Sequence, residues 1–317
     1  MKKGRKDFFP TLLLLKGQKF VICNTQEKNC KVKMRENQMV VVSGCKGVGK
    51  SYTTFFEEIL PYYSGLLTGK KSKVLILDIN DEYGEMYPEA PEHVRRYGSR
   101  SIMVKPIGLE QLAAFTASQV PDVRRVRPVF TANKYNEKGK LEAKKGDAME
   151  PDDMVGAAVK CFDDFHGGLL LLEDISMLFG NAIPKSIAGR ITRIRHLNLD
   201  LIMHVQSIGV IVPRMWQNVN AIRFHNQLDT VPKSEGKLMD RYDLFQLAEF
   251  IVKARYNAGD NRYYLYIDNL TAKVRGEFTR EEAVAAARRL VVQTNYGYRG
   301  QSEAEKVSDI MRDYFEF

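Results

Sequence analysis

The run Gly44-Cys45-Lys46-Gly47-Val48-Gly49-Lys50-Ser51 has the residue types and spacing that bind a triphosphate. It satisfies GxxxxGK[ST], in which glycines let backbone N–H groups turn toward a phosphate with no Cβ in the way. Lys50 supplies a mobile positive charge for the β- and γ-phosphates, and the Ser51 hydroxyl is a ligand for Mg²⁺. The bare pattern also arises by chance, so its surroundings decide. Val40-Val41-Val42 precedes it as a strand, and the segment from Lys50 to about Leu60 reads as a helix that ends before Pro61. Such a helix points its positive dipole end at the anion. Gly44 to Ser51, with Tyr52 in the first turn, are therefore the expected contacts of ATP.

A phosphate-transfer site also needs an acidic residue at the tip of a neighbouring strand, to hold the metal's hydration shell. Leu169 to Leu172 followed by Glu173-Asp174 has that shape. The usual order is Asp then Glu, metal partner first and water-orienting base second. Here it is reversed, so Glu173 takes the metal-facing position beside Ser51 and Asp174 the water-orienting one. The bland alternative is a strand end with a solvated acidic turn. The reversal bears on hydrolysis more than on nucleotide binding. Asp78-Ile79-Asn80-Asp81-Glu82-Tyr83 closes the next strand, where Glu82 can reach the nucleotide edge of an open α/β sheet; a polar strand exit would look the same. Gln206 ends the strand around Leu201 to Val205, in position to hydrogen-bond the γ-phosphate or the attacking water. Upstream lie Arg190, Arg193 and Arg195. They serve either as ordinary complements of a helix C-terminus or as an arginine finger donated to a neighbouring subunit. His93, His166, His196, His204 and His225 form no metal-ligand spacing and adjoin no nucleophile motif, so none is assigned catalytic chemistry.

These residues need a scaffold of strands and helices in alternation. Strands are expected at Met39 to Ser43, Lys73 to Ile79, Ser101 to Lys105, Leu169 to Leu172, Leu199 to Val205 and Ala221 to His225. Helices are expected at Leu109 to Ser118, Pro151 to Phe165 and Ile187 to Leu197. Continuously apolar strands between helices indicate an α/β protein with a mainly parallel sheet flanked by helices on both faces. Residues 1–35 read as an N-terminal β segment with strands at Thr11 to Leu15 and Lys19 to Cys23. Residues 36–231 read as the core, and 232–317 as a C-terminal α+β extension wrapped on it. That extension has a helix to about Ala254, a strand pair (Arg262 to Asp268 and Thr271 to Arg275) and a helix Arg280 to Val292. The stretch 121–146 is rich in Lys and Arg, with little apolar periodicity, and is expected to be a surface insertion, either a hairpin or a mobile loop.

The chain of 317 residues carries a formal net charge of +9, which favours an acidic partner such as nucleic acid without specifying one. No apolar run approaches the ~18 residues of a membrane span, and the four cysteines show neither CxxC nor zinc-finger spacing. A soluble, cytoplasmic protein with reduced thiols is expected.

In this order the motifs resemble those of the FtsK–HerA superfamily of ring-forming DNA-pumping ATPases. Asp78…Glu82-Tyr83 is similar to the D-x-x-x-E-Y after the second strand of HerA-like members. Arg195-His196 through Gln206 is similar to the segment of viral genome-packaging ATPases that runs from Arg-His to Gln. The resemblance covers roughly residues 36 to 230. It implies a P-loop, RecA/FtsK-like core in which Lys50 and Ser51 hold phosphate and Mg²⁺, and Glu173 and Asp174 form the acidic pair. Gln206 is then the sensor, and Arg195 the arginine finger with Arg190 and Arg193 behind it. It further implies a homo-hexameric ring around double-stranded DNA, in the host cytoplasm or virion, with a viral capsid vertex as a further partner. The insertion 121–146 and Lys233 to Lys237 are candidates for the DNA contact, and Tyr296 and Tyr298 for base stacking, though packing is the commoner role for such tyrosines. Two other readings stand beside this one: an ATPase for phage extrusion or conjugative transfer, and a nucleotide-switched binding protein with little turnover. A small-molecule kinase fits the later Arg…Gln strand tip less well.

Overall fold

The computed structural model describes residues 37–80, 82–83, 104–127, 134–135, 141–142, 151–175, 185–194, 196–211, 213–231, 241–294, 296–298 and 300–317. The expected N-terminal strands, Arg195 and Lys233 to Lys237 lie outside these residues.

Strands β1 (Met39–Ser43), β2 (Lys73–Leu77), β3 (Lys105–Pro106), β4 (Val123–Val126), β7 (Gly168–Leu172), β8 (Asp200–Val205), β9 (Ala221–His225), β10 (Tyr264–Asp268) and β11 (Lys273–Arg275) form one sheet. Its order is β11-β10-β9-β1-β8-β7-β2-β4-β3. From β9 to β3 every pairing is parallel, and β10 and β11 run antiparallel at one edge. The apolar runs of β1, β2, β7 and β8 follow from burial on both sides. Met39, Val41, Leu75, Leu77, Leu170 and Leu172 enter one core, while Val40, Val42, Val74, Ile76, Leu169 and Leu171 enter the other. This is the period-two alternation of a strand, with both faces covered.

Buried polar groups pin the register at the start of β1. Gln38 N–H donates to Asp200 Oδ1 at 2.7 Å, and Met39 N–H to Asn220 Oδ1 at 2.8 Å. The side chains belong to the head of β8 and the residue before β9, the two neighbours of β1, so β1 cannot slide against either without orphaning a buried donor.

The helix after the loop departs from expectation. It does not stop before Pro61 but runs as α1 (Lys50–Thr54), a π-helical segment (Phe55–Ile59) and α2 (Leu60–Ser64). Pro61 has no N–H for an α-helical bond, and the wider π turn just before it shifts the register so that the helix continues. Gly65, at φ 88°, ends it. The basic insertion also begins later than 121. Val123–Val126 is β4, paired in parallel with β2, and Arg125 is buried on it. Within the remainder, β5 (Lys134–Tyr135) and β6 (Leu141–Glu142) pair antiparallel.

Among the described residues, helices α3 (Leu112–Ala117), α4 (Pro151–Asp164), α5 (Lys185–Ile191) and α6 (Pro213–Trp216) also precede β9. Helix α5 stops short of the expected Leu197, in turns that end at Asn198 with φ 49°, a left-handed residue that closes a helix. Beyond residue 240, α7 (Tyr242–Asn257), α8 (Arg280–Thr294) and α9 (Glu303–Tyr314) pack on the sheet, with Leu244, Leu290 and Ile310 in the same core as Leu170. Helix α9 was not expected. Its start is a capping box, with Ser302 Oγ accepting from Glu305 N–H at 3.3 Å and Ser302 N–H donating to Glu305 Oε2 at 2.8 Å.

Candidate nucleotide-binding site

The loop between β1 and α1 leaves the sheet at its C-terminal edge, between β8 and β9. Gly44 admits no side chain, since a Cβ there would lie 2.7 Å from Cβ of His225. Gly49 stands at φ 83°, in the left-handed region, where it caps α1. Lys50 Nζ donates to the carbonyls of Gly44 and Cys45 at 2.7 and 2.9 Å. Burial pulls its pKa down, opposed by the carboxylates of Glu173, Asp174 and Glu82. Cys45 is a free thiol.

The acidic strand is not the immediate neighbour of β1, because β8 lies between β1 and β7. Strands β1 and β8 end level, with Ser43 opposite Val205, while β7 ends two residues earlier, with Leu172 opposite Met203. Gln206 is therefore carried between the phosphate loop and the acidic pair. Glu173 points inward: Oε1 lies 3.5 Å from Ser51 Oγ, and Oε2 accepts from Tyr83 OH at 3.2 Å. Burial alone would raise its carboxyl, but His204, Lys50 and Tyr83 outweigh burial and hold it below the usual range. Asp174 faces outward, with Oδ2 accepting from Gln206 Nε2 at 3.1 Å and from Asn80 Nδ2 at 3.4 Å. Its φ of 44° is strained for an aspartate and re-aims the carboxylate at the strand tip.

Glu82 reaches Ser51 Oγ, which donates to its Oε2. What places Glu82 and Tyr83 is Asp78, fully buried at the end of β2. Its carboxylate accepts the backbone N–H of Glu82 at 2.9 Å and of Tyr83 at 3.1 Å, and takes Arg125 NH1 at 2.8 Å. The spacing Asp78…Glu82-Tyr83 thus has a local cause. The aspartate folds the chain back on itself, so the glutamate meets the loop serine and the tyrosine meets the acidic strand.

Lys46, Gly47, Gly49, Lys50, Ser51 and Tyr52 line one cleft of about 640 Å³ with Asn80, Glu82, Glu173, Asp174 and Gln206. Three oxygen donors converge in it, from Ser51, Glu82 and Glu173. They are hard ligands suited to Mg²⁺. Among the described residues no group of three His, Cys, Asp or Glu side chains could hold a metal ion, so a cation here shares its coordination with a hydroxyl and with phosphate or water oxygens.

The arginines are placed differently. Arg190 is clamped in its own chain, donating to both carboxylate oxygens of Asp163 at 2.7 and 2.6 Å and to Ser186 O at 2.7 Å. With Arg193 it lines a separate cavity between α4 and α5. Of the candidate stacking tyrosines, Tyr296 is half-buried against the core and Tyr298 is 82% exposed.

Several residues that position the site were not read from the sequence. His204, buried two residues before Gln206, has Nδ1 2.8 Å from Glu173 Oε2 and Nε2 2.8 Å from Thr54 Oγ1. Its signal was the strand period, which puts 204 and 206 on one face. Arg223 on β9 lies under the loop helix, with NH1 2.6 Å from Glu58 Oε1 and NH2 3.1 Å from the carbonyl of Lys50. Burial pushes Glu58 up to about 7 against the pull of Arg223. Arg262, just before β10, also lines the cleft. No local pattern marks Arg223 or Arg262, because their partners are distant in the chain.

The parallel strand order, the glycine loop and the helix it feeds define a P-loop NTPase fold. Among solved structures the chain is similar to the genome packaging NTPase B204 from Sulfolobus turreted icosahedral virus 2 in complex with AMP, at 16% identity and a TM-score of 0.42, over 77% of this chain and 99% of that one. It is similar to B204, the DNA-packaging ATPase from Sulfolobus turreted icosahedral virus, at 15% identity and a TM-score of 0.41, over 78% and 100%. It is also similar to the N-terminal domain of zonular occludens toxin from Neisseria meningitidis, at 13% identity and a TM-score of 0.30, over 60% and 76%. No family profile and no curated protein matches the chain.

Proposed function

We propose that this protein is a Mg-ATP hydrolase that moves double-stranded DNA as a homo-hexameric ring, with viral genome packaging as its setting. The observation that carries the hydrolase reading is the convergence of Lys50, Ser51, Glu82, Glu173, Asp174 and Gln206 on one cleft at the C-terminal edge of the sheet. The loop amides and Lys50 bind the α-, β- and γ-phosphates. Ser51 and Glu173 hold Mg²⁺, with Glu82 beside them, and the ion supplies neutralisation of phosphate charge. Asp174 accepts a hydrogen bond from the attacking water, and Gln206 and Asn80 hold that carboxylate in place. Water oxygen bonds to the γ-phosphorus, the bond to the β–γ bridging oxygen breaks, and the proton leaves through Asp174, giving ADP and phosphate. Arg190 is occupied by Asp163, so an arginine finger falls to Arg195 or Arg193. DNA as the cargo rests on the motif order and the net charge of +9. A capsid vertex would anchor the ring, in the host cytoplasm or the virion.

The test is ATP turnover by the purified chain, with and without duplex DNA, beside Lys50→Ala. Stimulation by duplex of any sequence, with a loss of about 100-fold or more in the variant, supports a DNA-dependent motor. Tight ATP binding with negligible turnover in both conditions favours the second reading, a nucleotide-switched binding protein. The reversed Glu173-Asp174 order is the observation behind that alternative, and exchanging the pair to Asp-Glu raises turnover if the reversal is a handicap.

A further inference from the structure

Arg262 comes from the turn that follows α7, far in sequence from the phosphate loop, yet its stem lies over Gly49. A Cβ on that glycine would stand 3.2 Å from Arg262 Cγ. Its guanidinium carbon sits 4.6 Å from the centroid of the Tyr52 ring. Tyr52 is itself braced, with its ring centroid 4.8 Å from that of buried Phe56. Glu82, Glu173 and Asp174 line the same cleft as Arg262. Arg262 nevertheless makes no ion pair with any of them among the described residues; its observed partner is an aromatic face. A long cation that leaves these carboxylates to others and sits over the Tyr52 ring marks the Tyr52 side of the cleft.

That end is the γ-phosphate end, marked by Lys50, Glu173 and Asp174, while the amides of the first helical turn meet the α- and β-phosphates. The nucleoside therefore leaves the loop past Tyr52. A guanidinium placed over a tyrosine ring can stack between that ring and a second flat ring, a mode that arginine supports and lysine does not. We propose that Arg262, backed by Tyr52, is the platform on which the base of the bound nucleoside triphosphate stacks. The turn between α7 and β10 thereby supplies a wall of the nucleotide site. This rests on the cleft being the nucleotide site.

The experiment is calorimetric titration of the full chain, in Mg²⁺, with ATP and separately with inorganic tripolyphosphate, which lacks the base. Arg262→Ala and Arg262→Lys are each expected to weaken ATP about ten-fold, leaving tripolyphosphate within about two-fold of wild type; Tyr52→Leu follows the same pattern. Retained tripolyphosphate binding shows that a variant is folded. Equal weakening of both ligands makes Arg262 a phosphate contact and overturns base stacking, and so does an unchanged ATP affinity. Full ATP binding in Arg262→Lys with loss in Arg262→Ala reduces the residue to its charge, which also overturns stacking. A wild-type chain that binds neither ligand, and behaves like Lys50→Ala, sinks the nucleotide site itself.

Discussion

At the scale of single residues, the site depends on carboxylates with opposite tasks. Glu173 is held in the charged form by His204, Lys50 and Tyr83 despite its burial. A carboxyl whose pKa is lower folded than unfolded contributes stability above the unfolded value and loses it as pH falls through the folded one. The melting temperature of the wild type should thus fall faster than that of Glu173→Gln as pH drops below about 4.5, followed by thermal scans. An equal slope in both would show that Glu173 is not depressed. Asp78 acts only through others. Asp78→Ala removes the acceptor of two backbone N–H groups and the 2.8 Å contact to Arg125. The expected cost is about 3 kcal/mol in denaturant unfolding, with turnover reduced because Glu82 and Tyr83 are no longer aimed. Glu82→Gln should lower turnover and leave stability nearly unchanged.

At the scale of elements, the loop helix is clamped to β9 by a buried ion pair. Arg223 and Glu58 are both fully buried and 2.6 Å apart. Such a pair adds little over apolar groups of the same volume, yet breaking it strands a charge. Arg223→Met should cost about 3–5 kcal/mol, while Arg223→Met with Glu58→Leu should recover most of that, in a double-mutant cycle by chemical denaturation. Additive losses would mean the two side chains act independently. The capping box of α9 is the weaker joint, and Ser302→Ala should cost about 1 kcal/mol.

At the scale of the whole molecule, the proposed role as a motor that passes any sequence requires contacts to phosphates rather than bases. Duplex affinity should then be indifferent to sequence and fall steeply with salt, on the order of 10³-fold or more between 50 and 200 mM for a footprint of several phosphates. Fluorescence anisotropy with two unrelated duplexes checks both. A flat salt response would remove the backbone-tracking interface. No helix among the described residues is long and apolar enough to cross a membrane.

The phosphate loop, the strand before it and the acidic tip were legible in the sequence because each is a contiguous run whose chemistry follows from neighbouring residues. Gly44 to Ser51 carries the glycine spacing of an anion-binding turn, and Leu169 to Leu172 is a continuously apolar run that is buried on both sides. The mainly parallel α/β class followed from the same runs. What joins distant segments was not legible. The insertion of β8 between the loop strand and the acidic strand, which brings Gln206 and His204 to the centre, is a matter of sheet order. The ion pair of Arg125 with buried Asp78 places Val123–Val126, the start of the basic stretch, in the sheet as β4. The helix that survives Pro61 depends on a π turn, whose register no local propensity specifies. Residue types and near spacing determined which groups could meet a triphosphate. Only the tertiary structure decided which arginines face the cleft, because a salt bridge or a stacked ring depends on distances through space that the order of residues along the chain does not contain.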